Sequence, residues 1–212
     1  MERLICLAIG YGFGLIQTSY LYGKLNHIDI REHGSGNAGT TNALRTLGWK
    51  AGVVTFLGDC FKCVCAVIVV YLLFRSSCAD KIPLLRMYAG AGAILGHNYP
   101  FYLGFKGGKG IAATAGLILS TNLWMALIEL VVFAALVGVT RYVSLGSLAV
   151  VTLFVVEVVV YGQNGGFAME PALLYELYGI TVLLMVSAYY RHWENIKRLL
   201  SGTENKIGSR KK

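Results

Sequence analysis

The stretch IAATAGLILSTNLWMALIELVVFAALVGV, residues 111–139, decides the topology. Lys109-Gly110 precedes it, Thr140-Arg141 follows it, and Ser120-Thr121-Asn122 interrupts it. Read as one helix it would run about 44 Å at 1.5 Å per residue, well beyond a hydrocarbon core of roughly 30 Å. Broken at Ser120-Thr121-Asn122, it becomes a short apolar piece, Ile111–Ser120, followed by a full crossing, Asn122–Val139.

Further apolar runs of crossing length lie at Leu4–Gly23, Ala51–Phe74, Leu84–Leu103, Leu145–Tyr161 and Pro171–Ala188. With 56% hydrophobic and 14% charged residues and a mean hydropathy of +0.59, a water-soluble globule is excluded. Three prolines and the lack of any Gly/Ser, Gln or acidic tract exclude a disordered linker. No internal repeat is visible, so residues 1–212 are expected to form one integral-membrane domain. The first run lacks the basic flank and cleavage site of a signal peptide and reads as a span.

Inner loops of membrane proteins collect Lys and Arg. With the N-terminus outside and the break at Ser120–Asn122, seven spans put Lys24, Arg31, Arg45, Lys50, Lys106, Lys109, Arg141 and a basic 191–212 tail on the inner side. Only Arg3, Arg75, Lys81 and Arg86 fall outside, and Lys62 lies within a span. An unbroken 111–139 helix would turn the tail outward. The expected fold is therefore all-α and polytopic, with seven transmembrane helices and a cytoplasmic C-terminus.

The net charge of +8 concentrates in three inner segments. HGSGNAGTTN, residues 33–42, fits G-x-G-x-x-G, but it joins membrane helices and does not follow a buried strand, which excludes a dinucleotide fold. Its glycines still let backbone N–H groups approach an anion, and Ser35, Thr40 and Thr41 add donors near a helix start. A flexible connecting loop is the plain alternative. GHNYP at 96–100 and FKGGKGI at 105–111 form the second segment. Leu103 and Gly110 break the Walker A pattern, yet Lys109 between Gly108 and Gly110 reads as a phosphate ligand, and Lys106 as a topology-setting charge.

The third group joins TRYVSLGS at 140–147 with RHWENIKR at 191–198, where His192, Asn195 and Arg198 recur every three residues. A cationic face on anionic lipid is the alternative there, and it suits Lys206 and Arg210–Lys212. Intramembrane ionisable groups are functional candidates, which singles out His97. Asp59 and Lys62, three apart on a helix, read as a mutually neutralising structural pair; Glu129 and Glu157 show no partner. Cys60, Cys63 and Cys65 read as apolar filler. No metal, cofactor or nucleic-acid partner is expected.

The motifs Ser35-Gly36-Asn37-x-Gly39-x-Thr41-Asn42, Gly96-His97-x-x-Pro100 with Gly107-Gly108-Lys109-Gly110, Arg141-Tyr142-x-Ser144-Leu145-x-Ser147, and His192-x-x-Asn195-Ile196-x-Arg198 through Gly202-x-Glu204 occur in this order. Together they resemble the bacterial acyl-phosphate:glycerol-3-phosphate acyltransferase family, over nearly the whole chain. Ile111-Ala112-Ala113-Thr114 departs from that family's usual Val-Ala-Thr run.

The resemblance implies an inner-membrane enzyme whose active site faces the cytoplasm. It would transfer a fatty acyl group from acyl phosphate to the 1-hydroxyl of sn-glycerol 3-phosphate, giving lysophosphatidate and inorganic phosphate in phospholipid synthesis. A soluble enzyme that makes acyl phosphate would be a partner. Acyl-CoA- and carrier-protein-dependent enzymes of this reaction carry His-x4-Asp; here the residue five after His27, His33, His97 and His192 is Glu32, Ala38, Tyr102 and Lys197. A transporter for organic phosphates is the competing class, but no repeat relates two halves and the cations cluster at one surface.

Two phosphate-bearing substrates need cations, which Arg45, Lys106, Lys109, Arg141 and Arg198 can supply. Ser35, Gly36, Asn37, Gly39, Thr41, Asn42, Gly107, Gly108 and Lys109 are expected around acyl phosphate, and Arg45, Arg141, Ser144, His192 and Asn195 around glycerol 3-phosphate. His97 is either the base for the hydroxyl proton or an orienting group, with the substrate phosphate taking the proton. Ser35 is either an anion ligand, with direct transfer, or a nucleophile.

Overall fold

The computed structural model describes residues 1–208; the tail tip at Arg210–Lys212 lies outside the described residues. The described residues form α1 (Glu2–Gly14), α2 (Thr18–Leu25), α3 (Thr40–Leu47), α4 (Trp49–Phe74), α5 (Ile82–Asn98), α6 (Ile111–Thr121), α7 (Leu123–Thr140), α8 (Val143–Gln163), α9 (Pro171–Arg191) and α10 (Trp193–Leu200). Short 3-10 turns at Ile30–Glu32, Ala79–Lys81 and Phe101–Leu103 complete the regular structure.

The break that decides the topology is present. Asn122 caps α7 by accepting from the backbone N–H of Trp124 at 2.8 Å and of Met125 at 3.4 Å. Arg86 on α5 donates to the Ser120 carbonyl, one of the acceptors that the end of α6 leaves without a helical partner. The span expected at Leu84–Leu103 stops at Asn98, because Pro100 disfavours helical geometry in the residue before it.

The first span is not continuous, as the sequence had suggested: α1 ends at Gly14 and α2 restarts at Thr18. Backbone freed within a membrane needs protein partners. Gln17, fully buried, donates to the carbonyls of Gly14, Gly96 and His97 at 3.1–3.3 Å. Lys62 on α4 donates to the Ile16 carbonyl at 2.5 Å.

Helix α1 lies on α5 through small residues; a Cβ on Gly10 or Gly92 would strike the backbone of the opposite helix. The core between the helices holds Leu84, Leu85, Met87, Leu117, Ile118, Phe154 and Leu177. Outward, α4 and α7 present Phe61, Ile68, Leu72, Ile128, Leu130 and Val131 as exposed apolar side chains, a surface suited to lipid. Glu2–Leu25, taken across its break, and α4, α7, α8 and α9 are long and apolar enough to cross a membrane. Helices α5 and α6, of 17 and 11 residues, are shorter.

Polar groups collect at the two ends of this bundle. At one, Arg3 pairs with Glu176 at 2.5 Å, and Tyr88 donates to the same carboxylate at 2.7 Å. At the other, segments 26–42, 99–110, 140–144 and 191–208 converge, joined by bonds such as those from Arg191 to Gly108 and from Ser144 to Glu204.

Candidate active site

Loop 33–39 is shaped by Asn42. Its Oδ1 accepts from the Ser35 N–H at 2.8 Å and its Nδ2 donates to the carbonyls of Ile30 and His33, both at 3.0 Å. Gly34 sits at φ +63°, where a side chain would be strained and would also strike Asn42. Ser35, Asn37, Gly39, Thr40 and Thr41 are thereby ranged along a cavity of about 480 Å³. Thr40 Oγ1 is buried and has no hydrogen-bond partner among the described residues. Arg45, on α3, also lines the cavity.

The second loop rests on His97. Gly108 donates its N–H to the His97 carbonyl at 3.1 Å, and a Cβ at Gly108 would collide with His97 Nε2. Arg191 clamps the loop: its Nη2 donates to the carbonyls of Gly108 at 2.7 Å and Gly107 at 3.2 Å, while its guanidinium lies 5.2 Å from the Tyr99 ring centre. Lys109 is left pointing across the cavity mouth, where it donates to Asn195 Oδ1. Burial, with Arg198 nearby, lowers the Lys109 ammonium to about 8 despite the opposing influence of Glu204.

Glu204 holds the third side together. Its carboxylate accepts from Asn195 Nδ2 and Arg198 Nε, each at 2.7 Å, and from Ser144 Oγ at 3.0 Å. Burial would raise this carboxyl, but the three donors hold it below its ordinary value. Arg141 makes the arrangement possible from outside the cavity. Its Nε and Nη2 donate to the Ile207 carbonyl at 3.1 and 2.8 Å, and the Ile207 N–H returns to the Arg141 carbonyl at 2.8 Å. The guanidinium expected on a substrate phosphate thus holds the tail at Ile207 in this structure.

His192 differs from expectation in its chemistry. Its Nδ1 donates to the Ala188 carbonyl at 2.8 Å, which leaves Nε2 as an acceptor. Burial, followed by the neighbouring Lys109, lowers the ring to about 4, so it is neutral near pH 7. A neutral acceptor suits a hydroxyl better than a phosphate oxygen.

Asp59 and Lys62 form a trio with His97, not an isolated pair. Lys62 Nζ donates to Ile16 O at 2.5 Å, to Asp59 Oδ1 at 2.9 Å and to His97 Nδ1 at 2.9 Å, and Thr18 Oγ1 adds a bond to Asp59 at 3.1 Å. An ammonium has three N–H donors and no acceptor. With Lys62 held as an ammonium against the Asp59 carboxylate, all three are spent here; His97 Nδ1, which also lies 3.6 Å from Asp59 Oδ1, is then the acceptor and the ring carries its proton on Nε2.

Of the residues singled out from sequence, Ser35, Asn37, Gly39, Thr41, Asn42, Arg45, His97, Lys109, Ser144, His192 and Asn195 line the one cavity. Gly36, Gly107 and Gly108 shape the loops without lining it, and Arg141 lies outside. Thr40, expected as a further donor, and Arg198, expected as a phosphate cation, line it as well, together with Glu204. Arg198 and Glu204 stood within the motifs, but only the fold shows the carboxylate bridging Ser144, Asn195 and Arg198. Below the polar mouth the cavity continues past Phe56, Ile118, Ala126, Leu130, Phe133 and Val150. Among the described residues no group of three or more His, Cys, Asp or Glu side chains is placed to hold a metal.

A profile of the family described as glycerol-3-phosphate acyltransferase matches residues 4–202. The glycerol-3-phosphate acyltransferase of Clostridioides difficile is 40% identical over 98% of this chain and 97% of its own length. That of Halalkalibacterium halodurans is 43% identical over 100% and 98%. Among solved structures, PlsY, an integral membrane glycerol 3-phosphate acyltransferase, superposes in its glycerol 3-phosphate form with a TM-score of 0.84 at 31% identity, over 98% of this chain and 96% of that one. Its lysophosphatidic acid form gives a TM-score of 0.82 at 30% identity with the same coverage. With profile, sequences and structures agreeing along nearly its whole length, the chain belongs to the glycerol-3-phosphate acyltransferase family.

Proposed function

We propose that this chain transfers a fatty acyl group from acyl phosphate to the 1-hydroxyl of sn-glycerol 3-phosphate, releasing lysophosphatidate and inorganic phosphate for phospholipid synthesis. One observation carries the reading: a single cavity has a cationic mouth, with Arg45, Lys109 and Arg198, and an apolar interior between α4, α6, α7 and α8. The mouth suits phosphate groups and the interior an acyl chain. The two similar PlsY structures are its glycerol 3-phosphate and lysophosphatidic acid forms, an acceptor and a product of this class of reaction.

Loop 35–41 and Lys109 hold the acyl-phosphate head. Arg45 and Arg198 take the phosphate of glycerol 3-phosphate, with Asn195 and Ser144 alongside. His192 Nε2 accepts from a glycerol hydroxyl. The glycerol oxygen then bonds to the acyl carbon, the bond from that carbon to the phosphate oxygen breaks, and its electron pair leaves with phosphate. Positioning and oxyanion stabilisation supply most of the acceleration, because the leaving group is already good.

The hydroxyl proton passes to a phosphate oxygen of the donor. The Lys62 bond to Nδ1 supports this assignment, since a His97 ring protonated on Nε2 is a hydrogen-bond donor and not a base. Ser35 Oγ has no hydrogen-bonded base among the described residues, which favours direct transfer over an acyl-enzyme. In this reading α5 and α6 complete seven crossings, the N-terminus lies outside, and the site faces the cytoplasm of a bacterial cell, where a soluble enzyme delivers acyl phosphate.

Purified protein is offered glycerol 3-phosphate with acyl phosphate, acyl-CoA or acyl carrier protein in separate reactions. Turnover with acyl phosphate alone is the expected result; turnover with acyl-CoA and none with acyl phosphate would refute the donor.

A further inference from the structure

Two carboxyl groups deep in the bundle take no part in this chemistry. Glu129 on α7 is 3% exposed and lines the cavity, and its carboxyl faces that of Glu157 on α8. All four carboxyl oxygens are shielded, and none receives a hydrogen bond from another described group. Glu129 lies about 16 Å along α7 from its inner end at Thr140, at 1.5 Å per residue. Ala126, one turn further along α7, and Ile118 and Val150, each about 10 Å along α6 and α8 from the helix starts at Ile111 and Val143, also line the cavity, whereas Glu157 does not.

Ionisable groups in hydrocarbon are costly and are retained where they act on something. Facing carboxyls can make one hydrogen bond to each other through a shared proton. The other oxygens then require water or a polar ligand. A hydrocarbon chain that grew past the pair would strip that water and put methylenes in its place.

We propose that Glu129 and Glu157 form a polar end wall to the acyl cavity and so set the longest acyl chain the enzyme accepts. The proposal rests on reading this cavity as the acyl site. Short of the wall, each added methylene buries apolar surface and raises affinity about fourfold, equivalent to about 0.8 kcal/mol. At the wall the gain stops and reverses.

The test uses full-length protein in lipid nanodiscs with two readouts: binding of lysophosphatidates of graded chain length, and kcat/KM for acyl phosphates of the same lengths. Wild-type affinity should climb and then break. Glu129→Leu should move the break outward by at least two methylenes, a gain of about 16-fold for the chain two carbons past the wild-type limit. Glu129→Gln, similar in size to Leu but polar, should keep the original break, and Glu157→Leu should shift it as Glu129→Leu does. A Glu129→Leu profile identical to wild type overturns the proposal, as does a Gln variant that shifts as far as Leu. The binding arm needs no acyl donor. A length break in binding without turnover of acyl phosphate therefore supports the wall while sinking the donor assignment.

Discussion

Converting Glu204 to Gln removes a negative charge held one amide away from Lys109, and the pH dependence of turnover should report the loss. Asn195 joins the two groups: its Oδ1 accepts from Lys109 and its Nδ2 donates to Glu204 at 2.7 Å. Their separation is thus well under about 12 Å, the distance at which a unit charge in an effective dielectric of about 20 contributes about 1.4 kcal/mol, or one pKa unit. Lys109 starts at about 8. If a substrate phosphate requires the ammonium, kcat/KM falls about tenfold per pH unit once pH exceeds that value. Glu204→Gln takes away a group that favours the charged lysine, so the alkaline limb should move down by about one unit. Arg198→Met takes away a repelling cation, so the limb should move up. The assay is kcat/KM for glycerol 3-phosphate across about pH 6–10 at constant ionic strength. A limb that stays in place in Glu204→Gln, or that moves the same way in both variants, would refute the coupling.

His97→Gln keeps an N–H donor near the position of Nε2, so it should retain more activity than His97→Ala. A loss of about 10²–10⁴ in kcat for both variants would restore His97 as a base. Gly108→Ala drives a Cβ into His97 Nε2; thermal unfolding should show about 1–3 kcal/mol of destabilisation, together with lost turnover, and a wild-type melting curve would contradict the close packing. Arg45 is exposed, and no hydrogen bond or ion pair ties it to another described residue. Arg45→Ala should therefore leave stability within about 0.5 kcal/mol while raising KM for glycerol 3-phosphate about 10- to 100-fold, the size of a charge-assisted hydrogen bond. An unchanged KM would remove Arg45 from the acceptor site.

Hydropathy and charge made much of the helical layout legible, including the break before α7, because Ser120-Thr121-Asn122 offers a cap and the Lys and Arg distribution penalises the unbroken alternative. The break within the first span was not legible because Leu4–Gly23, although it contains Gln17-Thr18-Ser19, already has the length of a single crossing and so nothing in its length demands an interruption. Its partners, Lys62 and the α5 carbonyls, are remote in sequence. The same distance hid the third member of the Asp59–Lys62 pair: i, i+3 spacing is readable on one helix, whereas contact with His97 depends on how α4 packs against α5. Motif residues did converge, yet their separate duties follow from geometry. Nothing in Arg141-Tyr142-x-Ser144 announces that this guanidinium also bonds to Ile207, 66 residues away.

Because Glu204 reaches back to Ser144, Asn195 and Arg198, the mouth of the cavity is assembled from residues made at very different times during synthesis. The segments bearing Arg45 and Lys109 leave the ribosome long before the one that carries Asn195 and Glu204. An unfinished chain already in the bilayer would have cations at the mouth but neither the amide that aims Lys109 nor the carboxylate that restrains Arg198. Prematurely terminated products should accumulate as inert membrane proteins, unable to consume a reactive, energy-rich acyl donor.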